Sequence, residues 1–513
     1  MASLGKTIKK SFEKKTISST LFGMFASTLT TIAPMLLIMG GIIVLYNVLD
    51  YNSVIYADRL LFTSSILYIF IFGLLSTAPF NTVLSRYITD RIFEEDYDAI
   101  LPCFYGGLFL NLTVSSLIGI PFYLYSYFVG GIDPLYTFTC YIAYIALCLT
   151  FYSMLYLSIT KDYLKISLFF FIGVVTMVLS ALLTVKVFHA TVIYGMLLSI
   201  GCGFLAIGIC ECGYIKVYFS RNNQNYFGFL QYFKEHWQLS VTNLFYFLAM
   251  YSHNFVFWTM PDRLVVKDTY ICYPPYDMAT CIAMFTNISA SVILITQIEL
   301  HFHERYKAYS EAVIGGRMRD IEKSKNRMFS LLSYQLMDVV RNQFTISVLI
   351  YLLCVVFLPQ FGFAGQTMEI YPCLAAGYFV IFLLYSCIIY LFYFNDKTGA
   401  LLTTSAFLAV TTVVSIFARD FPPIWYGIGT FAGSFSGWVV AYFRLRWVER
   451  NLDEHIFCRG TLIPSQHEAM PTNIVFPVDI TKIEEEEENE EEQKAEAKKG
   501  KKKRKKNKEE KRP

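Results

Sequence analysis

Charge is scarce in this chain of 513 residues. Asp, Glu, Lys and Arg make up 16%, against 55% hydrophobic and 17% aromatic residues. A water-soluble protein of this length would need far more charge to cover its surface. A bilayer accepts the composition because lipid replaces water around the apolar faces. Mean hydropathy of +0.45 agrees with a membrane protein. Long polar stretches are missing too. No segment ahead of the C-terminal tail has room for a soluble catalytic domain, and there is no G-x-x-x-x-G-K-[ST] phosphate cradle. An ATP-driven transporter would need a separate motor subunit, and neither catalysis nor a bound cofactor is expected.

Pairing chemistry is the third lack. The chain has twelve cysteines, but most, such as Cys202, Cys210, Cys212, Cys354 and Cys387, lie in apolar runs, where they serve as small hydrophobes. Cys210-Glu211-Cys212 is spaced too closely for a zinc knuckle and has no second half. Cys272 falls in an outer loop with no evident partner. No disulfide framework and no metal centre are expected. A cleavable leader is not expected either: basic Met1–Lys15 is followed by an apolar run too long for a signal peptide.

What the chain has in quantity is hydrophobic spans. A helix needs about 20 apolar residues to cross about 30 Å of hydrocarbon. Segments near that length run at 21–49, 60–80, 101–128, 135–159, 164–188, 190–218, 238–260, 278–299, 343–359, 372–394, 399–417 and 423–446. The expected fold is all-α, with about twelve transmembrane helices in two six-helix bundles. The first bundle covers 21–219 after a cytoplasmic segment at 1–20. A cytoplasmic linker at 220–237 leads to the second bundle at 238–450. Within that bundle a cytoplasmic amphipathic segment at 300–341 has Ile321, Met328, Leu331 and Leu332 on one face.

Basic residues orient the spans. Lys9, Lys14, Arg86, Arg91, Lys161, Lys165, Lys216, Arg221 and Lys234 fall on one side. Arg305, Lys307, Arg317, Arg319, Lys323, Lys325, Arg327 and Lys397 join them. Only Arg59, Lys186, Arg263, Lys267 and Arg419 fall on the other. The positive-inside rule makes the first side cytoplasmic and places both termini there. The tail at 451–513 is expected to be cytoplasmic and disordered from about 480. An acidic block (Glu484–Glu488, Glu490–Glu492) there meets a basic block (Lys498–Lys506), and neither can build a core. A solvated tail near anionic lipid or a partner is favoured over nucleic-acid binding.

Ionisable and polar groups at membrane depth are the site candidates. Glu211 either faces a water-filled pathway or couples to a cation, or else it lies near the cytoplasmic end within reach of Lys216 and simply reaches the interface; the last reading is favoured. Asn243, His253 and Asn254 precede Trp258, where an interhelical hydrogen bond is the favoured use of His253. Pro34 follows Ser27, Thr28, Thr30 and Thr31, whose hydroxyls can satisfy a freed carbonyl. A moving gate helix and a static kink are equally open there. Tyr123, Tyr125, Tyr127, Phe128, Tyr141 and Tyr144 suit either sliding sugars or an interfacial belt, and the belt is favoured residue by residue. His301-Phe302-His303-Glu304 is no metal site, because residues two apart point to different helix faces. Glu299, His303 and Tyr306 share one face, either a docking surface or a solvated helix start.

Three stretches carry a family resemblance. They are Ser85-Arg86-Tyr87-Ile88-Thr89-Asp90-Arg91-Ile92-Phe93-Glu94 with Tyr97-Asp98-Ala99-Ile100-Leu101-Pro102; Pro275-Tyr276-Asp277-Met278-Ala279; and Glu299–Lys307, including Phe302, Glu304, Arg305 and Tyr306. As a set they resemble PelG, the exopolysaccharide transporter family in the polysaccharide-transporter branch of the MOP flippase superfamily. Three features depart from the pattern. Leu4-Gly5-Lys6-Thr7-Ile8 matches the N-terminal motif loosely, His253-Asn254 stands where an Asp-Lys pair is expected, and the tail after Asp479 has no counterpart.

The resemblance implies a multi-pass protein of the cytoplasmic membrane that exports a partly de-acetylated polymer rich in N-acetylgalactosamine. It also implies a complex with a cytoplasmic glycosyltransferase and with cyclic-di-GMP-responsive membrane partners. Arg86, Asp90, Arg91, Tyr276, Asp277, Glu299, Glu304, Arg305 and Tyr306 would then serve transport or docking. The competing readings are a flippase for lipid-linked oligosaccharides, a cation-coupled small-molecule exporter, and a scaffold that does not transport.

Overall fold

The computed structural model describes residues 34, 37–160, 162–284, 302–361 and 365–452. Nearly all of them are helical, because a chain in lipid must satisfy its backbone hydrogen bonds within each segment. In chain order the helices are α1 (Leu37–Val48), α2 (Tyr56–Phe93), α3 (Ile100–Phe128), α4 (Pro134–Thr160), α5 (Tyr163–Leu182) and α6 (Val192–Tyr218). A short α7 (Leu230–Glu235) leads into α8 (Trp237–Phe257). A β-hairpin follows, with β1 (Leu264–Val266) antiparallel to β2 (Tyr270–Cys272), and then α9, described over 274–284. The chain continues through α10 (His303–Gly315), α11 (Met318–Phe357), α12 (Gln366–Tyr393), α13 (Lys397–Ala418) and α14 (Ile428–Arg450). Eight of the described helices are long and apolar enough to cross a membrane.

Packing sorts the helices into two groups. In the first, α4 lies against α2, α3 and α6, and α6 carries α5. In the second, α13 lies against α8 and α14, while α12 lies against α14 and α11. The groups meet along α2 and α8. The tightest seam joins α13 to α14, where Gly429, Gly433 and Gly437 recur every fourth residue on one face. A Cβ on Gly433 would meet the Thr411 backbone nitrogen at 2.7 Å, and one on Gly429 would meet that of Ser415 at 2.8 Å. Small residues at this spacing let two backbones approach, so dispersion replaces the hydrophobic force that lipid cannot supply.

Three expectations change. The span read at 60–80 does not end there: α2 continues through Phe93 for 38 residues, about 57 Å, and carries Arg86, Asp90 and Arg91 well past a bilayer's thickness. The amphipathic segment at 300–341 is not separate from the span at 343–359. After α10, a single 40-residue helix, α11, holds both, because nothing between Asp338 and Ser347 breaks a helix. Its apolar half leaves Phe344, Leu349, Leu352, Leu353 and Val356 exposed, as lipid contact requires. The loop after the seventh span folds into the hairpin, whose turn holds Lys267 and Asp268 at positive φ (50° and 51°). The expectations for residues 1–33, Glu299, His301 and the tail lie outside the described residues.

Candidate functional site at the seam between the two helix groups

Asp277 organises the hairpin end of the seam. It is buried near the start of α9 and accepts from the Tyr273 backbone N–H (2.9 Å), Asn254 Nδ2 (2.8 Å) and Trp258 Nε1 (3.0 and 3.1 Å). Three neutral donors around one carboxylate are what a buried charge needs when no cation pairs with it. Beside it, Tyr276 Oη lies 2.9 Å from His253 Nδ1, and the Tyr276 ring stacks on Phe257 with centroids 4.0 Å apart. Two separate sets of sequence candidates, His253 with Asn254 and Tyr276 with Asp277, thus form one cluster between α8 and α9.

Tyr68 ties this cluster to the first helix group. Its hydroxyl donates to the Ile271 carbonyl (2.9 Å) and accepts from the Ile271 N–H (3.0 Å). Its ring stacks on Trp258 with centroids 5.1 Å apart and planes at 4°. Tyr270 lies edge-on to both Tyr68 and Phe122, and Cys272 Sγ lies 3.5 Å from Ser64 Oγ. The sequence reading missed Tyr68, Phe122 and Tyr270. Its available signal was the pair of short β-prone runs flanking Lys267-Asp268. The aromatics at this end divide: Tyr125, Tyr127 and Phe128 are exposed, as an interfacial belt requires, whereas Tyr123 and Tyr144 are buried. The cavity they line with Tyr68 and Phe122 is about 50 Å³, room for a water molecule but not for a sugar.

Midway along the seam, α8 bonds to α2 at a proline. Asn243 Nδ2 donates to the Ala78 carbonyl (2.6 Å) and Ser240 Oγ to the Pro79 carbonyl (2.8 Å). Asn243 is therefore an interhelical tie. Pro34 is buried. Glu211 corrects the favoured expectation, because it does not reach toward an interface. It is fully buried and turns onto Ser153 of α4, since α6 presents that face to its partner helix.

The opposite end of the seam is basic. Arg86 pairs with Asp90 at 3.1 Å, while Arg91 pairs with Glu94 (2.8 Å) and Asp96 (3.5 Å) and donates to Tyr232 Oη at 3.4 Å. Pairs this exposed contribute little stability. Lys397 Nζ lies 3.2 Å from His236 Nδ1. Partial burial is the main cause holding His236 below its ordinary range, with the Lys397 and Arg86 charges adding to it. Asp396 caps α13 through the Gly399 N–H and is clamped by Arg444, which lies over the Trp447 ring at 4.0 Å. Tyr306 of α10 belongs here too: burial raises its hydroxyl, and the Arg86 charge opposes that rise. Tyr306 itself packs against Tyr393 and Phe394, close to Asp396 in the chain. Glu304 and Arg305 instead face outward from α10, which Phe302 anchors against Tyr390, Tyr393 and Phe394.

The family model for PelG, described as "Putative exopolysaccharide Exporter (EPS-E)", matches residues 1–457. The chain belongs to the PelG family. No curated protein sequence matches this PelG-family chain. Solved structures share its fold. The eukaryotic MATE transporter AtDTX14 is 11% identical, with a TM-score of 0.57 over 85% of this chain and 97% of that one. A variant of the Vibrio cholerae MATE transporter VcmN is 10% identical, with a TM-score of 0.57 over 87% and 99%. The outward-facing conformation of a multidrug resistance MATE family transporter of the MOP superfamily is 13% identical, with a TM-score of 0.55 over 83% and 96%. The PelG-family chain is therefore a multi-pass membrane protein with a MATE-type transporter fold.

Proposed function

We propose that this PelG-family chain exports exopolysaccharide across the cytoplasmic membrane, along a pathway between its two helix groups. The observation that carries the reading is the family match over residues 1–457, which takes in both groups. Twelve spans with both termini in the cytoplasm would put the Arg86–Arg91 end inside and the hairpin end outside. The substrate is a partly de-acetylated, N-acetylgalactosamine-rich polymer, received from a cytoplasmic glycosyltransferase as it grows. Arg86, Asp90, Arg91 and Tyr306 form the inner mouth. Glu304 and Arg305, exposed on α10, offer the transferase a docking face, with cyclic-di-GMP-responsive membrane proteins completing the assembly. The chain acts as a conduit and catalyses no bond change.

The test is depletion of the protein in its native host, followed by staining with a lectin specific for N-acetylgalactosamine. Loss of surface polymer, with transferase activity intact in extracts, is expected. Unchanged surface polymer would reject the reading and move a flippase for lipid-linked oligosaccharides to first place.

A further inference from the structure

Both α11 and α14 lie against α12, and a cleft remains between them. It holds a cavity of about 270 Å³, walled by Leu332, Leu336 and Val340 of α11 and by Trp438 and Leu445 of α14, with Leu383 of α12 as its floor. The lining runs from Phe329 to Val340 on one helix and from Trp438 to Glu449 on the other, about 16 Å along each. That is the depth of one leaflet, half of a hydrocarbon core about 30 Å thick. Met337 and Tyr442 edge the cleft and are exposed. Beyond its apolar end, Phe344 and Phe435 lie exposed one turn further along the two helices.

Shape and charge choose the occupant. A helix is about 10 Å across and would need several times this volume over the same length. Water has nothing to bind along the apolar walls. A single hydrocarbon chain fits both length and volume. The other end of the cleft is polar. Arg446 donates from Nη1 to Glu449 Oε2 at 2.7 Å and from Nε to Tyr442 Oη at 3.2 Å. Both partners belong to α14 itself, and among the described residues Arg446 Nη2 and Glu449 Oε1 take no other. One cation beside one anion suits a head group that also carries both charges, a phosphate for the guanidinium and a primary ammonium for the carboxylate. A head with net negative charge would set a second anion against Glu449.

We infer that this cleft binds one molecule of a zwitterionic, primary-amine phospholipid of the phosphatidylethanolamine type. Its acyl chain lies between α11 and α14, and its head rests on Arg446 and Glu449. The chain completes the packing of α11, which leaves nearly all of its apolar stretch uncovered by protein. The site depends on the membrane setting alone, not on what the protein exports.

Native mass spectrometry of the full-length protein tests this, with release from nanodiscs holding phosphatidylethanolamine, phosphatidylglycerol and phosphatidylcholine in equal parts. One retained phosphatidylethanolamine is expected. Phosphatidylcholine should be excluded, because its quaternary ammonium has no proton to donate. Leu336→Trp, which fills the cleft, should remove the bound lipid. Glu449→Gln, at the rim, leaves the cleft open and should cut the preference for phosphatidylethanolamine about tenfold, the weight of one hydrogen bond to a charged group. A wild type that retains no lipid, or retains either other lipid equally well, overturns the inference. So does a bound lipid that survives in Leu336→Trp, or a preference unchanged in Glu449→Gln. Should Leu336→Trp fail to fold, Glu449→Gln decides. No polymer enters the assay, so its outcome is independent of the lectin test.

Discussion

Asp277 shows how far one side chain can hold a seam that spans the chain. Its oxygens, carried on α9, gather donors from Asn254 of α8, from Trp258 at the end of that helix and from Tyr273, the residue after the hairpin. Asp277→Asn keeps the size but replaces one acceptor oxygen with an amide that must face donors. Hydrogen bonds to a charged group contribute about 1.5–3 kcal/mol each. A loss of that order is expected in thermal unfolding of the detergent-purified protein, and an unchanged midpoint would remove Asp277 from its organising role. His236 carries a pH signature at the other end. Its ordinary value is 6.5, and the folded protein holds it lower. The unfolded chain therefore takes up the proton first, so the contribution is intact above pH 6.5 and is lost as pH falls below it. Protonation would also place a third cation beside Lys397 and Arg86. Stability of the wild type should decline on acidification below about pH 6.5 in that range, and His236→Gln should flatten the decline. Parallel curves would refute the assignment.

At the scale of elements, the α13–α14 pair depends on atoms that are absent. Gly433→Leu would force a side chain into the Thr411 backbone, which cannot move without parting two helices. Folded protein recovered from membranes should fall sharply, by monodisperse yield in size-exclusion chromatography. Gly213→Ala is the matched control, because a Cβ there meets nothing within 4 Å. Equal yields from the two would show that close approach at α13–α14 is dispensable. The long helices carry the second lesson at this scale. Local hydropathy sees α11 as an amphipathic piece plus a short span, but an α-helix has no reason to stop where polarity changes, only where a breaker or a cap intervenes.

For the whole molecule, the distribution of charge is the organising fact. The described structure collects Arg86, Arg91, Lys165, Arg221, Lys234, Arg317, Lys397 and Arg444 at one end of the helices, and Arg59, Lys186, Arg263, Lys267 and Arg419 at the other. Single cysteines introduced at Lys267 and Lys325 should report this topology in intact cells. An impermeant thiol reagent should label the first without treatment and the second only after permeabilisation. The reverse pattern would turn the molecule over, and with it the assignment of Arg86 and Tyr306 to an inner mouth.

Much of this protein was legible in the residue order. Hydropathy and the alternation of basic loops are local quantities, each set by a short window exchanging water for lipid, so the membrane setting and the order of spans follow from sequence. The motif stretches also pointed to the family and to Tyr276, Asp277 and Arg86. Rotation of each helix about its axis is another matter, because it depends on every neighbour at once. Only packing turned Glu211 from an interface toward Ser153, brought Tyr68 to Ile271 across 203 positions, and set Asn254 against Asp277. Membership in the bilayer is written residue by residue. Which polar groups meet inside it is decided when the helices close on one another, since a buried polar atom must find its partner wherever the fold supplies one.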